Sequence, residues 1–430
     1  MAARGRRWAL PMLLAAATLS IALWALQVWH WPAVKYFMFD LNIYHQAGAD
    51  VIAGGSLYQD RFLDHPFTYT PFAGILCAGL SLMSMESARL FLATVTIGCL
   101  GVAAFCSVRV AGIRPGRRAT TVAVAIGAIG LWSEPVQDNL TFGQVNVVLM
   151  ALVLLDFALP DSFPGKGVAI GLATAIKLTP GLFVVYLLMT RRFRPAATSS
   201  VTMAATMALG FLVLPADSSR YWSGIFADSG RVGDRLNSGN QSLYGLLGHL
   251  GLTGAVLTTC WLLCAALVGY FGSRAAIRSY RRADELGGVL VCALTALLVS
   301  PISWIHHWVW MTPLLAWLLA RTESSRLAGR RSRWLPLCLT VVLFECWPQP
   351  GSQDWPMPLG AFHWHLDNTS TLWTRQLLLA VQQNMYALFA ILVLIVVVRA
   401  DRRATRPETS PPRQNGAPPE RSPVPELSRR

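Results

Sequence analysis

Phe37-Met38-Phe39-Asp40-Leu41-Asn42-Ile43-Tyr44 sets a carboxylate just beyond a long apolar run that occupies about residues 8–30. If such runs cross a bilayer, Asp40 stands at the far membrane surface. Its apolar neighbours partly desolvate the acid and raise its proton affinity, as a general base requires. A solvated loop residue or a helix cap would show the same lone Asp, so spacing alone leaves these readings open.

The composition around this stretch decides the class. Of 430 residues, 54% are hydrophobic and 13% charged, and the mean hydropathy is +0.45. A soluble domain carries about 25% charged residues. A chain this poor in charge, with long apolar runs repeated along it, reads as an all-α polytopic membrane protein. The net charge of +14 does not point to nucleic acid, because the arginines stand in clusters between apolar runs: Arg4-Arg6-Arg7, Arg109 to Arg118, Arg191-Arg192-Arg194, Arg274 to Arg282, Arg321 to Arg333 and Arg399-Arg402-Arg403. That is the pattern of cytoplasmic loops. Lys35, Lys166 and Lys177 are the only lysines, and the eight cysteines, without metal-ligand spacing, read as small apolar residues.

Pinning the arginine clusters to the cytoplasm arranges the chain. A cytoplasmic N-terminus (1–7) leads into a membrane domain over 8–400, and residues 401–430, rich in Pro, Arg, Glu and Ser, read as a disordered cytoplasmic tail. The first run lacks a cleavage site and continues to Trp29, Trp31 and Tyr36, so it reads as a retained signal anchor. Spans follow near 88–110, 119–134, 144–159, 165–178, 179–191, 197–215, 251–272, 287–305, 307–320, 333–347 and 377–399, about twelve in all. Residues 31–68, 216–250 and 348–374 become external loops with short surface helices. Residues 67–84, with Pro66 before them and Pro71 inside, fit a re-entrant or surface-lying segment, a full crossing being the alternative.

On this arrangement the distinctive polar motifs converge on one face, which favours an active site at that surface over a transport path. His65-Pro66-Phe67-Thr68-Tyr69-Thr70-Pro71 is a rigid aromatic turn. Gly143-Gln144-Val145-Asn146 opens a span with amide groups that suit sugar hydroxyls or a helix cap. Lys177, between two apolar runs, is costly at membrane depth unless it is paired, functional or snorkelling, and it suits a phosphate. Arg231 to Ser242, with Arg235, Asn240 and Gln241, is a dense polar loop. Ser300-Pro301-Ile302-Ser303-Trp304-Ile305-His306-His307 places two imidazoles beside a Trp that suits sugar stacking. No further ligands at usable spacing call for a metal.

Asp40-Leu-Asn-Ile-Tyr44, Phe67-Thr-Tyr-Thr-Pro71, Gly143-Gln-Val-Asn146, Lys177-Leu-Thr-Pro180, Asn240-Gln-Ser242 and Ser300 to His307, taken in order, resemble the GT-C glycosyltransferases of family 87 over about residues 8–400. The look is that of actinobacterial polyprenol-phosphate-mannose-dependent α-(1→2)-mannosyltransferases, which extend phosphatidylinositol mannosides or branch lipomannan. Thr70 departs from the family's Tyr-Pro-Pro. The resemblance implies a GT-C fold, a polyprenyl-phosphomannose donor, a glycolipid acceptor and the lipid bilayer as partners, with no nucleotide and no nucleic acid. It implies Asp40 as the base, Lys177, His306, His307 and Arg235 at the donor phosphate, and Tyr44, His65, Tyr69, Gln144, Asn146, Asn240, Gln241 and Trp304 around the acceptor and sugars. It implies no cofactor and leaves a divalent cation open. The expected place is the plasma membrane, with the site on the external (periplasmic) face. The alternatives are an arabinofuranosyltransferase with a polyprenyl-phosphoarabinose donor, a transporter or flippase, and a partner protein without catalysis.

Overall fold

Apolar runs punctuated by Gly and Pro fold into helices, and little else is built. The computed structural model describes residues 2–30, 37–324, 334–348, 358–363 and 373–404. Among these the helices are α1 (Ala2–His30), α2 (Phe39–Ile52), α3 (Pro71–Ser81), α4 (Met85–Val110), α5 (Arg117–Leu131), α6 (Glu134–Phe142), α7 (Asn146–Ala158), α8 (Val168–Ile176), α9 (Leu182–Met189), α10 (Phe193–Val213), α11 (Pro215–Ser223), α12 (Leu243–His249), α13 (Gly254–Arg281), α14 (Glu285–Val299), α15 (Met311–Ser324), α16 (Leu335–Phe344), α17 (Trp373–Gln383) and α18 (Met385–Ala404). Two short antiparallel ribbons pair β1 (Arg61–Phe62) with β2 (His65–Pro66) and β3 (Trp347–Pro348) with β4 (Pro358–Leu359).

By length and composition α4, α10 and α13 can each cross a membrane, and residues 376–383 with 385–399, bent by 73°, make a fourth candidate. Leu262 and Leu263 on α13 are 54% and 62% exposed, which suits lipid rather than water. Other expected spans are present but short. α8 and α9 have nine and eight residues, about 12–14 Å each. Joined by a 3₁₀ turn at Thr179–Gly181, they form a hairpin rather than two crossings of a layer about 30 Å thick.

The stretch 67–84 holds α3, eleven residues long and so about 16 Å, too short to cross. It packs on α2 where Gly48 lets the backbones meet; a Cβ there would fall 2.0 Å from the Cys77 carbonyl oxygen. The loop expected over 31–68 is partly helix, since α2 buries Leu41, Ile43, Tyr44 and Ala47 on one side. α18 continues to Ala404, so of the tail expected over 401–430, residues 405–430 lie outside the described residues. So does most of the loop expected over 348–374.

The helices run up and down between two polar ends. At one end the Asp156 carboxylate accepts from the backbone N–H groups of Gly167, Ala169 and Ile170, and Arg192 binds Glu285 through two nitrogens. The other end gathers Asp40, the turn at 143–146, Lys177 and the segment 300–307. Along α7 the two ends are about 15 Å apart, from Asn146 to Asp156.

Candidate active site

Asp40 lies in the first turn of α2, where the positive end of the helix dipole favours a carboxylate. Met38 before it takes a left-handed conformation (φ 52°). The end of α6 docks against this bend. Gly143 (φ 69°) ends α6, and a Cβ there would sit 2.8 Å from the Cβ atoms of both Leu41 and Met38. Close approach and backbone conformation therefore both require glycine. Asn139 clamps the turn that follows: its amide donates to the Gln144 carbonyl (2.9 Å) and its side-chain oxygen accepts from the Asn146 N–H (3.1 Å).

The clamped turn aims Gln144 at Asp40. Gln144 Nε2 donates to Asp40 Oδ2 at 2.5 Å. Tyr69 donates to Gln144 Oε1 at 2.8 Å and accepts from the Tyr44 hydroxyl at 2.8 Å. Because Tyr69 occupies the amide oxygen, the amide nitrogen is what faces the carboxylate. Lys177 Nζ donates to Asn146 Oδ1 (3.1 Å) and the Tyr69 oxygen (3.4 Å), and stands 3.1 Å from His307 Nε2. Burial raises the Asp40 carboxyl above the usual carboxylate range, while the His306 ring, the Gln144 hydrogen bond and the Lys177 ammonium pull it down. Asp40 and Lys177 thus share a network without forming an ion pair among the described residues, and Asp40 Oδ1 has no hydrogen bond there.

His306 and His307 part company. His307 faces Lys177, with its Nδ1 3.2 Å from the Trp304 N–H. His306 is buried, pairs with Asp138 (Nδ1 to Oδ2, 3.1 Å) and has no hydrogen bond to its Nε2. Asp138 and Asn139 are neighbours of this network that motif reading missed. Their signal is a polar run, Ser133-Glu134-Pro135-Val136-Gln137-Asp138-Asn139, where the apolar pattern should continue.

The expected acceptor-side residues divide. Tyr44, Tyr69, Gln144 and Asn146 belong to the network. His65 is exposed at its margin, its ring edge-on to Phe39 at 5.0 Å. Asn240 and Gln241 are fully buried and bind backbone instead of facing open space. Asn240 donates to the carbonyls of Arg235 and Pro301 and accepts from the N–H groups of Ser242 and Ser303. Gln241 donates to the carbonyls of Ser238 and Gln383 and accepts from the Tyr386 N–H. The Trp304 ring packs under the loop, 3.0 Å from a Cβ built at Gly233. Arg235 lies over the Tyr244 ring at 5.4 Å, outside the Lys177 cluster. Thr70 caps α3 by accepting from the Ala73 N–H, and its hydroxyl donates to the Ala175 carbonyl, a tie to α8 that Pro could not make.

A family model described as glycosyltransferase family 87 matches residues 67–301. The polyprenol-phosphate-mannose-dependent alpha-(1-2)-phosphatidylinositol pentamannoside mannosyltransferase of Mycolicibacterium smegmatis is 34% identical over 354 residues, 77% of this chain and 80% of that one. The protein of the same description from Mycobacterium tuberculosis is 34% identical over 316 residues, 70% and 71% of the two chains. A phosphatidylinositol mannoside mannosyltransferase of M. smegmatis with the same donor in its description is 31% identical over 395 residues, 86% of each chain. No solved structure matches the chain. A buried network with one accessible carboxylate, set at one end of a helical membrane protein, is thus seen in an enzyme: the chain belongs to glycosyltransferase family 87.

Proposed function

We propose that this enzyme transfers mannose, with inversion, from polyprenyl-phosphomannose to a mannosylated phosphatidylinositol lipid, a phosphatidylinositol mannoside or lipomannan. The bond formed is α-(1→2), the site lies on the external face of the plasma membrane, and the helices form a GT-C scaffold. The descriptions of the mycobacterial relatives support the donor and acceptor class, and the arginine clusters at the opposite end support the orientation.

One observation carries the mechanism: Asp40 and Lys177 sit in one network yet remain unpaired. A base and a phosphate-binding cation are kept apart, so each can meet its own part of the reaction. Asp40 takes the proton of the acceptor hydroxyl as that oxygen attacks the anomeric carbon. The bond from that carbon to the phosphate oxygen breaks, and its electron pair leaves on the polyprenyl phosphate. Lys177 and His307 meet the developing charge. A β-linked donor then gives an α-linked product in one displacement.

The His307 ring supports an anion at this point. Lys177 and the Trp304 N–H face its two nitrogens, yet a neutral imidazole has only one acceptor nitrogen. While Lys177 is charged, one donor is left over. A phosphate oxygen beside Lys177 and a His307 Nε2–H gives every donor an acceptor.

The test is transfer from a synthetic polyprenyl-phosphomannose to a mannosylated phosphatidylinositol by purified protein, with the product linkage read by NMR. An α-(1→2) mannosyl product is expected. No transfer from this donor, with transfer from a polyprenyl-phosphoarabinose, would overturn the reading. Orientation is tested with Asn237→Cys in a background lacking native cysteines; labelling of intact cells by an impermeant thiol reagent is expected, and labelling only after rupture would reverse the topology.

A further inference from the structure

Asn139 lies wholly buried in the last turn of α6 and brackets the turn that follows. Its carbonyl accepts from the Gln144 N–H at 2.8 Å, and its side-chain Nδ2 donates to the Gln144 carbonyl at 2.9 Å. Both backbone groups of Gln144 are therefore held by one residue. Asn139 Oδ1 accepts from the Asn146 N–H at 3.1 Å and from Asn146 Nδ2 at 3.5 Å. Gln144 and Asn146 are in turn the amides that bind Asp40 and Lys177. These bonds need a donor and an acceptor on one short planar group. An ionised Asp has no donor, and Leu has neither.

We propose that Asn139 is a positioning residue that sets Asp40 and Lys177 jointly, through Gln144 and Asn146; the inference rests on the roles argued above for those two charges. Asn139 makes no hydrogen bond to either charge among the described residues, so it acts only through the two amides. The plain alternative is a helix cap. Val145, at the N-cap of α7, makes no side-chain capping bond, and Asn139 Oδ1 takes an N–H that the helix start leaves over. A cap accounts for the bond from the Asn146 N–H. It does not call for the bonds that hold both backbone groups of Gln144, which lies outside α7. Those bonds fix the direction from which Gln144 Nε2 meets the carboxylate, while the same side chain fixes where Asn146 Oδ1 meets the ammonium. The base and the phosphate-binding cation thus take their placing from one buried amide.

Asn139→Ala tests this. Misplacing the reacting groups should lower kcat/KM at neutral pH by roughly 10²-fold. The Gln144 hydrogen bond pulls the Asp40 carboxyl down, so loosening it should move the acid limb of kcat/KM to higher pH. Binding of polyprenyl monophosphate, which Asn146 supports by holding Lys177, should weaken roughly tenfold in the same variant. Arg192→Met, which disturbs the opposite end of the molecule, should move neither the limb nor this binding. A lower Tm in Asn139→Ala, with limb and binding unchanged, makes Asn139 a cap alone and overturns the proposal. A shift in only one of the two also overturns it, because the two settings are then independent. If Asn139→Ala does not fold, Asn139→Ser, which keeps a hydroxyl at the position, is read by the same criteria. The donor reading fails separately. The acid limb is taken with whichever polyprenyl-phosphosugar the wild type turns over, and monophosphate binding needs no sugar transfer. Absence of mannose transfer by wild type, with both shifts present in the variant, rejects the donor sugar and leaves the role of Asn139 standing.

Discussion

The two polar ends of the molecule handle charge in opposite ways. At the arginine-rich end the buried charges Arg192, Lys166 and Asp156 are each closed off: Arg192 binds Glu285 at 2.9 and 3.1 Å and stacks on Phe157, Tyr186 and Tyr280, Lys166 pairs with Asp161 at 2.8 Å, and Asp156 is filled by backbone N–H groups. At the site end Asp40 and Lys177 are bound only to neutral partners, and Asp40 keeps one oxygen open. Burial without pairing is costly. The site end pairs His306 with Asp138 but leaves Asp40 and Lys177 without an ion pair, which is what a site completed by its substrate requires.

The largest effect should come from removing the proposed base. Asp40→Asn keeps the Gln144 contact geometry but cannot take a proton, and kcat should fall by about 10²–10⁴ with donor binding retained. Wild-type kcat/KM should also fall on acidification. Because the Asp40 carboxyl is raised above the usual carboxylate range, its base form is depleted at a higher pH than for an ordinary Asp. The acid limb should therefore lie above that range and vanish in Asp40→Asn. A surviving acid limb in the variant would assign the base elsewhere.

Lys177→Met sharpens the same contrast from the cation's side. Losing the proposed charged donor to the leaving phosphate should lower kcat/KM by about 10²–10³ and weaken product inhibition by polyprenyl phosphate in parallel. Arg192→Met is the counterpart at the closed end. It leaves the half-buried Glu285 carboxylate with the Tyr186 hydroxyl but no cation, and breaking such a pair costs about 3 kcal/mol, read as a lower Tm in detergent. Turnover per folded molecule should stay within about twofold. Equal losses of activity in both variants would erase the distinction between the two ends.

Much of the site end was legible because each motif places a strongly polar residue in apolar surroundings, where its cost demands a reason. Asp40, Lys177 and His307 carry that signal alone. Asp138 does not, since its partner His306 is 168 positions away, and no local pattern announces the pair. Asn240 and Gln241 carry a misleading signal: their amides look ready for sugar, but the carbonyls of Pro301 and Gln383 meet them in the fold. The helix α2 hides because Asp40, Asn42, His45 and Asp50 dilute its apolar face, and the hairpin α8–α9 reads as two spans because its turn at Lys177–Gly181 is short.

The smallest expected effect concerns Arg235, which the family resemblance places at the phosphate and the fold places over Tyr244. What the site uses of this residue is its backbone carbonyl, held by Asn240 Nδ2 at 2.8 Å, and that survives any substitution of the side chain. The half-buried guanidinium contributes a cation–π contact of about 0.5–1 kcal/mol. Arg235→Gln should therefore change kcat/KM by no more than about threefold, with the inhibition constant for polyprenyl phosphate unmoved. Asn240→Ala, which frees the same loop from Pro301 and Ser303 beneath His307, should cost more. If Arg235→Gln instead weakened polyprenyl phosphate as strongly as Lys177→Met does, the loop would have to close over the donor during the reaction, and the open end of the molecule would be larger than its resting geometry shows.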